Sequence, residues 1–269
     1  MIRFHSDENR RGSRMKLMSI LMAGVAFSLA GAANAEVRFG IMNEAYPPFF
    51  TKDPSGKWIG WEIELMDAVC AEMKETCSIV DMSWDGLIPG LEAKKFDVIW
   101  SSMSITDERK KTIDFTDKYY NTPSKLIGAK DGKLGAAADD VADKTIGIQV
   151  STIQSEYYKK YFADKASEQT YATLDEAFQD LAAGRIDYVF GDAIPLAEFL
   201  KSDFGKDCCE DKGNVKDDPA ILGTGIGGGL RKDDTALRDK LNAAIAAVRA
   251  SGKYAEISKK YFDFDPYGE

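Results

Sequence analysis

Arg109 lies in the stretch Ile105-Thr-Asp-Glu-Arg-Lys-Lys111, where Thr106 can cap a short helix and the arginine falls in its first turn. A cation at that end opposes the helix dipole, which favours negative charge. The position therefore asks for an anion nearby, although a surface pair with Asp107 or Glu108 would also serve. Ser151-Thr152-Ile153-Gln154 lies between a predicted strand and a helix predicted to begin near Gln154. Such a helix start presents unpaired backbone N–H groups, a second place for an anion, whether or not Ser151 or Thr152 also caps it. Asp192 stands just past a short apolar run, where an aspartate commonly forms a turn. The one histidine, His5, lies in a segment predicted to be removed, which leaves no imidazole for Ser-His-Asp or Cys-His catalysis or for a His-rich metal site.

The elements that must position these residues show an internal echo. Leu91-Glu-Ala-Lys-Lys-Phe-Asp-Val-Ile-Trp100 and Leu181-Ala-Ala-Gly-Arg-Ile-Asp-Tyr-Val-Phe190 both read as the end of an amphipathic helix, a basic turn and a short buried strand, with Gly184 as a helix stop. Many αβ units end this way. Here, though, each strand runs into a short polar pair, Ser101-Ser102 or Gly191-Asp192, and open α/β sheets gather ligands beyond the carboxyl ends of their strands. Two half-sites are implied. Strands are predicted over 37–42 and 145–150, and helices over 61–73, 173–183 (capped by Thr173) and 235–250. These elements make an α/β protein of two lobes with a cleft between them.

Length and charge agree. The 269 residues allow one large domain or two small ones, and 44% hydrophobic residues suffice for a core. The net charge of −9 excludes a partner held by its phosphate backbone, since that binding needs clustered Lys and Arg. Arg10, Arg11, Arg14 and Lys16 precede an apolar stretch from Leu17 to Ala30 and the small residues Ala33-Asn34-Ala35, the order of a secretory signal peptide. That stretch is too short to span a bilayer. Translation can start at Met1 or Met15. Removing residues 1–35, with five basic and two acidic residues, leaves 30 basic against 42 acidic residues, a net charge of −12. Export also permits disulfides.

Six motifs occur in one order: Tyr46-Pro-Pro-Phe49, Gly60-Trp-Glu-Ile63, Trp84-Asp-Gly-Leu-Ile-Pro89, Ser101-Ser-Met-Ser-Ile-Thr-Asp-Glu-Arg109, Ala183-Gly-Arg-Ile-Asp187 and Gly229-Leu-Arg-Lys-Asp-Asp234. Together, over essentially all of 36–269, they resemble the periplasmic solute-binding proteins of polar amino-acid ABC importers, above all the lysine/arginine/ornithine- and histidine-binding branch. The resemblance implies the two-lobed type II periplasmic-binding-protein fold with two hinge strands. Residues 36–122 and 220–269 would form lobe 1, and residues 123–219 lobe 2.

It also implies roles. Arg109 would grip a ligand α-carboxylate, which a planar guanidinium suits, together with Thr152 and the helix start at Ile153 and Gln154. Asp192 would take the α-ammonium, with Ser101, Ser102 and Ser104 adding oxygens on the lobe 1 side. Tyr46 and Trp84 would flank the side chain. A zwitterion gripped from both lobes would favour a closed form. Cys70 and Cys77 match a disulfide pair of that branch. Seven residues of continuous helix would hold their Cα atoms about 10 Å apart, so the helix must end between them. Cys208 and Cys209 have no counterpart; a vicinal disulfide, free thiols or a metal site remain open, and with no second CxxC and no histidine to assist, neither metal nor cofactor is expected.

The chain departs from the branch at Asn43, where an aspartate would meet a basic side chain, with Glu44 beside it expected to point elsewhere. It also has Ser151 in place of a glycine and Ile153 in place of a hydroxyl residue. The expected function is therefore a monomeric periplasmic receptor that delivers a polar, foremost basic, amino acid to an inner-membrane ABC permease. Glutamine or an opine-like conjugate is an alternative ligand. A cyclohexadienyl or arogenate dehydratase on the same fold, and a sensor that docks onto a membrane receptor, are alternative functions; the dehydratase would need a cleft carboxylic acid kept protonated.

Overall fold

A computed structural model of the chain describes residues 36–268; the predicted signal peptide lies outside them. In chain order the strands are β1 (Val37–Met42), β2 (Thr51–Lys52), β3 (Trp58–Ile59), β4 (Cys77–Met82), β5 (Val98–Ile99), β6 (Asp114–Phe115), β7 (Ser124–Ala129), β8 (Thr145–Gln149), β9 (Ser167–Tyr171), β10 (Tyr188–Asp192), β11 (Cys209–Asn214) and β12 (Gly229–Leu230). The helices that bear on the site are α1 (Trp61–Met73), α2 (Leu87–Glu92), α3 (Asp107–Lys110), α4 (Ile153–Tyr161), α5 (Leu174–Ala182) and α6 (Ala193–Lys201), and a long helix, Thr235–Ala250, lies near the carboxyl end.

The strands form two five-stranded sheets, one in the order β4-β1-β5-β12-β6 and the other β11-β7-β10-β8-β9. Each is the centre of one lobe. Residues 116–123 lead from the first sheet to the second and residues 215–228 lead back; Tyr120 and Ile226 pair antiparallel where the two passages meet. The first lobe packs around fully buried aromatic rings, with Trp100 stacked on Tyr119 at 4.2 Å. The second packs Ile146, Ile148, Tyr157, Phe162 and Phe190 into a core of its own.

The echo proves to be a repeated structural joint. β5 lies parallel to β1, and β10 lies parallel to β8. In each copy the aspartate just before the crossover strand accepts from the first strand's backbone: Asp97 Oδ2 from the Arg38 N–H at 3.1 Å, and Asp187 Oδ2 from the Thr145 N–H at 2.9 Å. The aspartates' own N–H groups return bonds to the Arg38 and Thr145 carbonyls at 2.8 and 3.0 Å. The polar pairs, Ser101-Ser102 just after β5 and Gly191-Asp192 as the last two residues of β10, thus emerge at corresponding places in the two lobes.

Helix α1 ends at Met73, with Lys74 in a left-handed cap, so Cys70 and Cys77 come within 6.3 Å (Cα to Cα) and are joined by a disulfide. Cys208 and Cys209 are also joined.

Candidate functional site

Between the lobes lies an opening of about 450 Å³, including its mouth, lined by Met42, Tyr46, Trp84, Ser101, Ser102, Ser104 and Arg109 from the first lobe. Gln149, Thr152, Ile153, Gln154, Leu174, Phe190, Gly191 and Asp192 line it from the second. Every predicted site residue except Asn43 lies in this wall.

Asn43 is exposed, and its backbone N–H donates to the Met82 carbonyl at 2.8 Å. Side chains alternate faces along an extended chain, and Met42, 1% exposed, takes the cavity side at the end of β1, which leaves Asn43 on the other. Glu44 does not line the cavity either. Its carboxylate accepts hydrogen bonds from Gln149 Nε2 and from the Leu174 N–H, at 3.2 Å, on the second lobe.

Arg109 is positioned as its sequence predicts. Thr106 Oγ1 accepts from the Arg109 backbone N–H, capping α3, and the side chain folds back so that one NH2 group donates to the Ser104 carbonyl at 3.0 Å. The other reaches across the cleft to the Ser151 carbonyl at 3.3 Å. A guanidinium has five N–H donors, so donors remain for a solute. Trp84 faces this guanidinium at 5.3 Å from its ring centroid and donates Nε1–H to the same Ser151 carbonyl. Burial lowers Arg109 to about 10, with Asp192 opposing the shift; it remains a cation at neutral pH.

Across the cleft, α4 begins at Ile153, one residue earlier than predicted, because Thr152 is its cap: Thr152 Oγ1 accepts from the Ser155 N–H and donates to the Gln149 carbonyl at 2.8 Å. The first turn of α4 therefore meets the cavity with unpaired backbone donors.

Asp192 ends β10 and precedes α6, yet its side chain makes no capping bond. It accepts instead from Tyr46 Oη–H of the opposite lobe at 2.9 Å and from Gln154 Nε2 at 2.8 Å. Burial is the main cause that pushes its carboxyl up to about 6, against these bonds and the charge of Arg109.

The serines have defined polarity. Ser101 Oγ accepts from the Met42 N–H at 3.0 Å. Ser102, at φ +54°, donates both its N–H and its hydroxyl to the fully buried Glu62, at 2.9 and 2.7 Å. With that proton committed, the Ser102 oxygen offers lone pairs to the cavity. Glu62 also accepts from Tyr119 Oη–H, and burial raises its carboxyl to about 7.

The cavity thus carries a cation that faces a helix start across the cleft, and an acid, 7% exposed, held by the donors Tyr46 and Gln154. Such a cavity is complementary to a small zwitterion. Sequence reasoning missed Met42, Gln149, Leu174, Phe190 and Gly191. Of these, Gly191 was signalled by its place in the polar pair after the second echo strand, and Gln149 by its place at the carboxyl end of a predicted strand.

Comparison with known proteins agrees with this geometry. The chain is 40% identical over 257 residues to the L-arginine-binding protein of Pseudomonas aeruginosa, an alignment covering 95% of this chain and 98% of that one. It is 40% identical over 259 residues to the histidine-binding periplasmic protein of Escherichia coli, covering 94% and 99%. Among solved structures, a periplasmic binding protein of Salmonella typhimurium described for high arginine specificity superposes with a TM-score of 0.77 at 30% identity, covering 84% of this chain and 99% of that one. Residues 37–264 match the bacterial extracellular solute-binding proteins, family 3, and with these two lobes about one cavity the chain belongs to that family.

Proposed function

We propose that the protein captures a polar L-amino acid, foremost arginine, lysine, ornithine or histidine, and delivers it to an inner-membrane ABC permease without chemical turnover. In this reading it acts as a monomer in the periplasm after cleavage behind Ala35, with residues 36–122 and 220–269 as one lobe and 123–219 as the other. One observation carries the proposal: Arg109 and Asp192, which belong to different lobes, line the same cavity. The carboxylate goes to Arg109 and the start of α4, the ammonium to Asp192 and the Ser102 oxygen. The solute bridges the lobes and so stabilises the closed form by its differential contacts alone. The names of the relatives supply the amino-acid class, and no helix of the described residues is long and apolar enough to cross a membrane.

A thermal-shift panel of amino acids on protein stripped of ligand tests this. A cognate solute at a hundred times its Kd stabilises by about 2.7 kcal/mol, and no shift with any amino acid refutes the proposal. A neutral ligand, glutamine or an opine-like conjugate, is favoured by one observation: Asp192 is the only acid in the cavity wall among the described residues. Response to these with none to the four basic amino acids would establish that second reading. Formation of product from prephenate or arogenate at a catalytic rate would instead identify a dehydratase.

A further inference from the structure

The cavity wall contains an amide whose orientation its neighbours decide. Gln149, the last residue of β8 and 6% exposed, donates Nε2–H to the Glu44 carboxylate and to the Ala172 carbonyl, the latter at 3.1 Å. The Ala172 carbonyl accepts only, as does Glu44 in its ionised form, so turning the amide over against that form would set its oxygen against two other oxygens. Its Oε1 is what Gln149 has to offer the cavity.

Glu44 stands directly behind. Besides Gln149 it accepts the Leu174 N–H at the start of α5, which brings only a partial positive charge. The charged groups that bear on it are the acids Glu176 and Asp175 of that helix, and burial is the first cause of its carboxyl being pushed up to about 7. A half-buried carboxylate with two hydrogen-bond donors and no opposite full charge lacks a cation.

We propose that Glu44 and Gln149 form the specificity-determining end of the cavity, where the Gln149 amide oxygen accepts from the guanidinium or ammonium of a basic side chain. Glu44, one hydrogen bond behind, supplies the opposite charge that Asn43 does not. This rests on the cavity being an amino-acid site. It explains how a wall whose only acid is engaged with an ammonium can still prefer a solute of net positive charge.

The test is calorimetric titration of the ligand-stripped protein with L-arginine and with L-citrulline, its uncharged counterpart, for wild type, Glu44→Gln and Gln149→Leu. Wild type is expected to prefer arginine, and each variant to lower the arginine-to-citrulline ratio about tenfold, the order of one charge-assisted hydrogen bond. If affinity for both solutes falls together and the ratio is unchanged, Glu44 is only a tie between lobes and the proposal is overturned. Wild type binding citrulline as tightly as arginine also overturns it while leaving the amino-acid reading intact; failure of every amino acid refutes both. A further readout needs no variant: at pH 7 arginine should release more protons than citrulline as it draws Glu44 into the ionised form, and equal release counts against the proposal.

Discussion

Asp192 holds an unfavourable charge in the cavity wall. Its two hydrogen bonds favour the carboxylate, but burial outweighs them and leaves the carboxyl near 6. A bound ammonium reverses that balance, because an adjacent opposite charge favours ionisation. At pH 6 the free protein carries about half a proton on this group, so binding should release up to about that amount from it. Calorimetry in buffers of different ionisation enthalpy measures it, and proton uptake would contradict a contact between ammonium and Asp192. Arg109 has the complementary task. Arg109→Ala is expected to cost about 3–5 kcal/mol of binding by leaving a desolvated carboxylate unpaired; unchanged affinity would remove Arg109 from the site.

At the scale of elements, the start of α1 holds Ser102 in place. Trp61 N–H and Glu62 N–H donate to the Pro48 and Phe49 carbonyls, and Glu62 in turn takes both bonds from Ser102. Gly60 makes this approach possible: at φ +132° an added Cβ would lie 2.3 Å from the Phe49 carbonyl oxygen. Gly60→Ala should therefore cost about 2–4 kcal/mol of stability, read from urea unfolding, and a loss below 1 kcal/mol would contradict the close approach. Much of this level is legible in sequence, because caps and helical periods are local. Helix α1, the Thr173 cap of α5 and the helix Thr235–Ala250 occur where the sequence predicts them. The two-residue strands β6 and β12 are not legible, since two residues carry no period. Nor is the meeting of Glu44 with Gln149: 105 positions separate them, and nothing local to either residue marks it. Met42 is a different case, because strand alternation alone predicts that it and Asn43 face opposite ways.

For the whole molecule, the raised carboxyls set a pH dependence. Glu44 and Glu62 near 7 and Asp192 near 6 hold protons more tightly folded than unfolded. Their stabilisation is complete below their unfolded values, near 4, and is lost as pH rises through 6 and 7. Acids with lowered values, such as Asp97 and Asp114, act in the opposite sense, but only as pH falls towards and below about 4. The ligand-free protein should therefore unfold at lower urea concentration at pH 8 than at pH 5. A rise in the midpoint over that range would show that these carboxyls are not buried as described.

The insertion of β12 between β5 and β6 sets an order of events as the chain emerges from its amino end. The sheet that carries Asp192 is complete once residue 214 has been delivered. The sheet next to Arg109 keeps a gap between β5 and its edge strand β6 until Gly229–Leu230 arrives, about forty residues before the end of the chain. The half that emerges first is thus the last to close, and truncations from the carboxyl end should expose it to protease while sparing its neighbour.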